Sequence, residues 1–187
     1  MWVRIDEWMV IEDQVSLARR GQLIRGLGLC TRYARLIDPP LQIDGLIEFG
    51  GGPKPTTGQQ ATYRCTGTVF HAEDVDADTG SGRFHTGCEL ATMIDEDLRL
   101  LIRLDQHAAR FPVGSRLTVD CTFTVIAAYE WADFDLPDVR KDYRVLQLHH
   151  PEADHSAAYF VELAPITSTW VRRKAYWVGG PRSIVPV

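Results

Sequence analysis

No apolar run in this chain approaches the roughly 18–20 residues that a membrane-spanning helix needs. The opening Met1-Trp2-Val3-Arg4-Ile5-Asp6-Glu7 has neither a basic leader nor an apolar core, so it does not read as a secretory signal. Both absences lead to the expectation of a cytoplasmic protein with no membrane partner. The four cysteines, Cys30, Cys65, Cys88 and Cys121, lie too far apart for a CxxC knuckle. They are expected to act as small buried hydrophobes. HExxH and GxSxG are also missing. The Gly- and Pro-rich stretch at 50–58 is not a phosphate loop, because Lys54 follows a proline and no Ser or Thr follows it directly. No cofactor is expected, and the chain leans away from enzymes.

Acid is missing from two stretches. Between Gln14 and Ile37 lie Arg19, Arg20, Arg25, Arg32 and Arg35 without one carboxylate. From Ile166 onward lie Arg172, Arg173, Lys174 and Arg182, again without one. The whole chain nevertheless carries a net charge of −5. Acids therefore concentrate elsewhere: at Glu73–Asp78, Asp95–Asp97 and Glu130–Asp142.

Pleated alternation is what the chain has in quantity. From Arg116 to Trp131 the odd positions are apolar throughout, and the even ones are polar except Ile126 and Ala128. Successive strand side chains point to opposite faces, so this pattern predicts one half-buried strand of unusual length. Shorter alternating runs follow Tyr63, Phe84 and Leu98. A hairpin is expected from Tyr143–His150 and Ala157–Leu163, and a last strand over Thr169–Val178. Gly26 and Gly28 interrupt a strand-like run over Gln22–Leu36, which suggests a bulge. Trp2–Glu12 opens as a strand, Asp38-Pro39-Pro40 stops the chain, and Leu41–Phe49 reads as an edge strand. With 187 residues and no convincing long helix, the expectation is one all-β domain, an antiparallel Greek-key barrel or sandwich. Its barrel core would span 61–131, with flanking strands in 1–49 and 143–187 and an arm at 50–58. In the order and spacing of its strands, 61–131 resembles an OB-type or translation-factor-type barrel.

Candidate chemistry is sparse. Asp74, Asp76 and Asp78 alternate like calcium-loop ligands, but Thr79 stands where that loop has its glycine and His85 where it has its last acid. A solvated hairpin tip is expected there. His71 and His85 lie on facing strands with Glu89 nearby, which is the one candidate for a metal or acid–base cluster. Trp170, Arg172, Lys174 and Tyr176 share one face of the last predicted strand. Together with Arg19, Arg20, Arg25, Arg32 and Arg35 they form the expected partner-binding surface. The leading expectation is a non-enzymatic interaction or self-assembly subunit. A single-stranded nucleic-acid binder is the alternative, because cations beside aromatics hold phosphates and stack bases. A small metal-dependent enzyme is the second alternative.

Overall fold

A computed structural model describes residues 1–15, 20–49, 52–53, 59–78, 83–95, 98–127, 130, 137–149 and 158–166. Most of the described chain is strand. Its elements are β1 (Trp2–Asp6), α1 (Glu7–Ile11), β2 (Leu23–Leu27), β3 (Leu29–Leu36), β4 (Gly45–Phe49), β5 (Thr62–Asp78), β6 (Arg83–Asp95), β7 (Leu98–Leu104), β8 (Arg116–Val125), β9 (Lys141–His149) and β10 (Ala158–Pro165). A 3-10 turn, Ala108–Arg110, follows β7. Among the described residues no helix is long and apolar enough to cross a membrane.

Five strands close a mixed barrel in the order β8-β3-β7-β6-β5 and back to β8. The β3–β7 pair is parallel and the other four are antiparallel. Closure depends on β5, which changes partners along its length. Tyr63–Thr68 pairs with β8, and Thr68–Asp78 pairs with β6. Gly67 sits at the changeover. A Cβ there would lie 2.6 Å from the Met93 carbonyl oxygen and 2.8 Å from Ile94 Cδ1, so only glycine lets β5 bend this close to β6. Arg64 clasps the seam, donating from Nε and Nη2 to the two oxygens of Asp120 on β8 at 2.7 and 2.8 Å.

The strands outside the barrel continue from it. β2 runs into β3 through Gly28 alone, and β9, β10 and β1 bridge from β2 back to β8. β4 lies at the sheet edge against β5, where the edge strand was expected. The β9–β10 hairpin also matches its expected pairing. Inside, Tyr63 and Phe123 pack with ring centroids 5.1 Å apart, among fully buried Leu90, Leu100, Ile102 and Leu117.

Three expectations need correction. The barrel is not confined to 61–131, because its fifth strand is β3. The predicted long strand 116–131 ends at Val125, and the next two residues, Ile126 and Ala127, stay buried without joining the sheet ladder. The chain turns there: Ile126 N donates to the Gly28 carbonyl and Glu130 N to the Ala127 carbonyl, with Glu130 in helical geometry. The longest strand is instead β5, at 17 residues. The strand predicted over Trp2–Glu12 stops at Asp6 and becomes α1, which buries Met9 alone. The expected strand at 169–178 lies outside the described residues.

Candidate functional site

The acids of the β5–β6 hairpin line a cleft rather than dispersing over a convex tip. In the ladder Glu73 faces Glu89 and Asp74 faces Cys88. Like charges directly opposite one another repel, so this register is costly unless something positive intervenes. Gly87, at φ +150, allows the hairpin to close on the end of β7, because any Cβ there would run into the Leu104 carbonyl oxygen. The resulting cleft has a volume of about 620 Å³ and gathers Glu73, Asp74, Asp76, Glu89, Asp105 and Glu130. That volume is in the usual range for small-ligand sites.

Arg103 is the one Lys or Arg in the lining. Its Nε donates to Glu89 Oε1 at 2.7 Å and its Nη2 to Glu130 Oε1 at 2.5 Å. Nη1 lies 3.9 Å from Cys30 Sγ. Glu130 is held in turn by the Ala127 N–H at 2.8 Å. Burial opposes the Arg103 charge, but the Cys30 sulfur and the two carboxylates outweigh it and raise its pKa above the ordinary range. Burial pushes the Cys30 thiol up to about 12. Burial, with Asp74 and Glu89 adding to it, pushes Cys88 up to about 11. Both sulfurs are therefore protonated at neutral pH and are poor nucleophiles.

Two histidines stand at the rim. His85 Nδ1 lies 3.8 Å from both Asp74 Oδ1 and Asp76 Oδ1, and His107 Nδ1 lies 3.7 Å from Asp74 Oδ1. Their rings stack with centroids 3.7 Å apart and an 18° tilt. The Ala108 N–H donates to Asp74 Oδ1 at 2.7 Å and fixes that carboxylate.

The residues singled out from sequence scatter over the molecule. Arg20 and Arg25 are exposed, and neither forms an ion pair among the described residues. They border β9, where Arg144 faces Leu23 and is also exposed and unpaired. Arg32 turns instead to Asp6, at 4.0 Å, and to the Tyr33 ring. Arg35 pairs in register with Asp120, whose carboxylate Arg64 already holds. Arg19, Trp170, Arg172, Lys174 and Tyr176 lie outside the described residues. His71 and His85 are not brought together: His71 faces Ala91 and sits 3.5 Å from Glu73, while His85 faces Asp76. Glu89 is in the cleft, bound to Arg103.

Sequence reasoning missed Arg103, Glu130, His107 and Arg144. A visible signal existed for Arg103, a cation on the apolar run Leu98–Leu104 opposite an acid-rich strand. None existed for His107, which a loop brings in. No family model, no curated protein and no solved structure matches this chain.

Proposed function

We propose that this chain is a non-enzymatic assembly subunit whose acidic cleft receives the arginine border of a second copy. The observation that carries this reading is the charge of the cleft. Six carboxylates converge around one guanidinium, and that guanidinium is already shared between two of them. A concave, uncompensated anionic surface attracts a cationic group. The same chain carries Arg20, Arg25 and Arg144 exposed on the β2–β9 border, without an ion pair among the described residues, and none of them lines the cleft. We take the contact between these two unlike patches to be heterologous, head-to-tail, which lets assembly grow beyond a dimer. The Cys88 thiol that lines the cleft is held protonated by burial and is a poor nucleophile, which supports a binding role over a covalent one. Four free, buried cysteines fit a reducing cytoplasm.

Light scattering tests the reading. In EDTA at low salt the protein should form concentration-dependent oligomers that dissolve as salt screens the contact. Arg25→Gln with Arg144→Gln should leave monomers. A monomer at every salt concentration, or assembly unchanged in that variant, overturns it. A single-stranded oligonucleotide added in the same measurement tests the rival: a complex that weakens steeply with salt would replace assembly by nucleic-acid binding through the five-stranded barrel.

A further inference from the structure

We propose that Asp74, His85 and His107, with Asp76 as the fourth ligand, form a site for one divalent transition-metal ion of the zinc type at the rim of the cleft. This goes beyond assembly, and either proposal can fail alone.

One donor atom from each of Asp74, His85 and His107 lies within 4.8 Å of the other two. The separations of 3.7 and 3.8 Å between imidazole nitrogens and carboxylate oxygens are too long for hydrogen bonds. No shared proton bridges those gaps. They are the spacing of two ligands on one ion. An ion about 2.1 Å from each of two such atoms would see them at roughly 125–130°, somewhat wider than tetrahedral. Loading therefore draws the ligands slightly inward.

The donor set selects the metal. Imidazole and carboxylate together suit zinc and its neighbours, whereas calcium and magnesium prefer oxygen alone. One further observation supports the site. The Ala108 N–H holds Asp74 at the centre of the group. A metal ligand that is itself hydrogen-bonded is oriented before the ion arrives.

The stack of the two rings sets a condition. Nearly parallel rings keep their nitrogen lone pairs in separate planes, and one ion cannot lie in both. One ring must tilt, and His107 is the one able to do so: its side chain is 68% exposed on the loop after β7. Binding thus breaks the stack and pins that loop to the β5–β6 hairpin.

Isothermal titration with Zn²⁺, on protein held monomeric by salt and cleared of metal by chelator, tests the proposal. One ion per chain is expected, with affinity at least tenfold lower in His107→Ala. That exposed substitution leaves the fold intact, which a circular dichroism spectrum checks. Co²⁺ provides a second readout, because nitrogen ligation gives a visible absorption band that His85→Gln should diminish. No Zn²⁺ uptake by the wild type overturns the proposal. So does an affinity within twofold of wild type in His107→Ala, or Ca²⁺ binding as tight as Zn²⁺ and insensitive to both histidines.

Discussion

Arg103 is a single positive charge divided between two acids. Its guanidinium fork reaches Glu89 with one arm and Glu130 with another, and both carboxylates are largely buried. Removing one partner of a buried ion pair leaves the other charge uncompensated, which costs more than the pair itself contributes. Arg103 is partly exposed, so water relieves some of that penalty. Arg103→Met should therefore lower stability by about 2 kcal/mol, read from urea denaturation. Arg103→Lys should recover less than half of the loss, since an ammonium cannot span both acids. The cysteines make a separate prediction about alkali. Burial raises the Cys30 thiol from its ordinary value to about 12, and Cys88 to about 11. The folded state then keeps protons that the unfolded chain releases. This contribution to stability is complete below the unfolded thiol range near pH 9 and is lost as pH climbs toward the folded values. The urea midpoint should fall steadily above pH 9, and Cys30→Ala should flatten that slope whatever it does to stability at pH 7. An equal slope in the variant would show that the thiol does not titrate between the two states.

Elements in this molecule follow the alternation of their residues where one face stays open. β8 keeps its expected parity from Val119 to Val125, with Phe123 inside and Thr122 and Thr124 half-buried, whereas Thr118 is buried against expectation. Phe123→Ala should therefore cost about 3–5 kcal/mol by opening a cavity in the barrel. Thr122→Ala should cost about 1 kcal/mol, for the hydrogen bond its hydroxyl donates to the Arg32 carbonyl. Comparable losses for the two would mean that the faces are assigned wrongly. The same strand shows why the sequence was legible only in part. Ile126 already breaks the polar face, and the strand ends one residue before it. β3 was harder to read because little β-branched content and two nearby glycines hid its role, although it supplies the barrel's one parallel pair. Gly87 held no sequence signal at all, since its requirement comes from the Leu104 carbonyl on another strand. Gly87→Ala should destabilise the fold by about 2–3 kcal/mol, combining a positive φ with that collision, again as a shift in the urea midpoint.

At the scale of the whole molecule, the uneven charge of the sequence survives folding in an altered form. The four described arginines between Gln14 and Ile37 do not make one surface. Arg32 and Arg35 lie on β3 beside acids, while Arg20 and Arg25 remain free with Arg144, which no sequence pattern joined to them. Glu73, Asp74 and Asp76 came to line one cleft with Arg103 of β7 and with Glu130, which lie far off in the chain. Pairing across distant strands decides such groupings, and linear spacing carries no trace of it. If the arginine border docks into this cleft, the contact is heterologous, and each subunit uses two different surfaces. Neutralising one surface should then leave the other competent. Arg25→Gln with Arg144→Gln keeps an intact cleft, and Glu73→Gln with Asp76→Asn keeps an intact border. Each variant alone should remain monomeric in light scattering at low salt. Mixed in equal amounts they can form one contact only, the cleft of the first around the border of the second, because each complex then ends on two neutralised surfaces. The mixture should stop at dimers, whereas wild type grows further. A two-fold symmetric interface would pair cleft with border twice in one closed dimer, so wild type itself would stop at dimers, and growth of wild type beyond them separates the two arrangements. Wild-type growth in either variant alone would assign assembly to a surface that includes neither the cleft nor the arginine border.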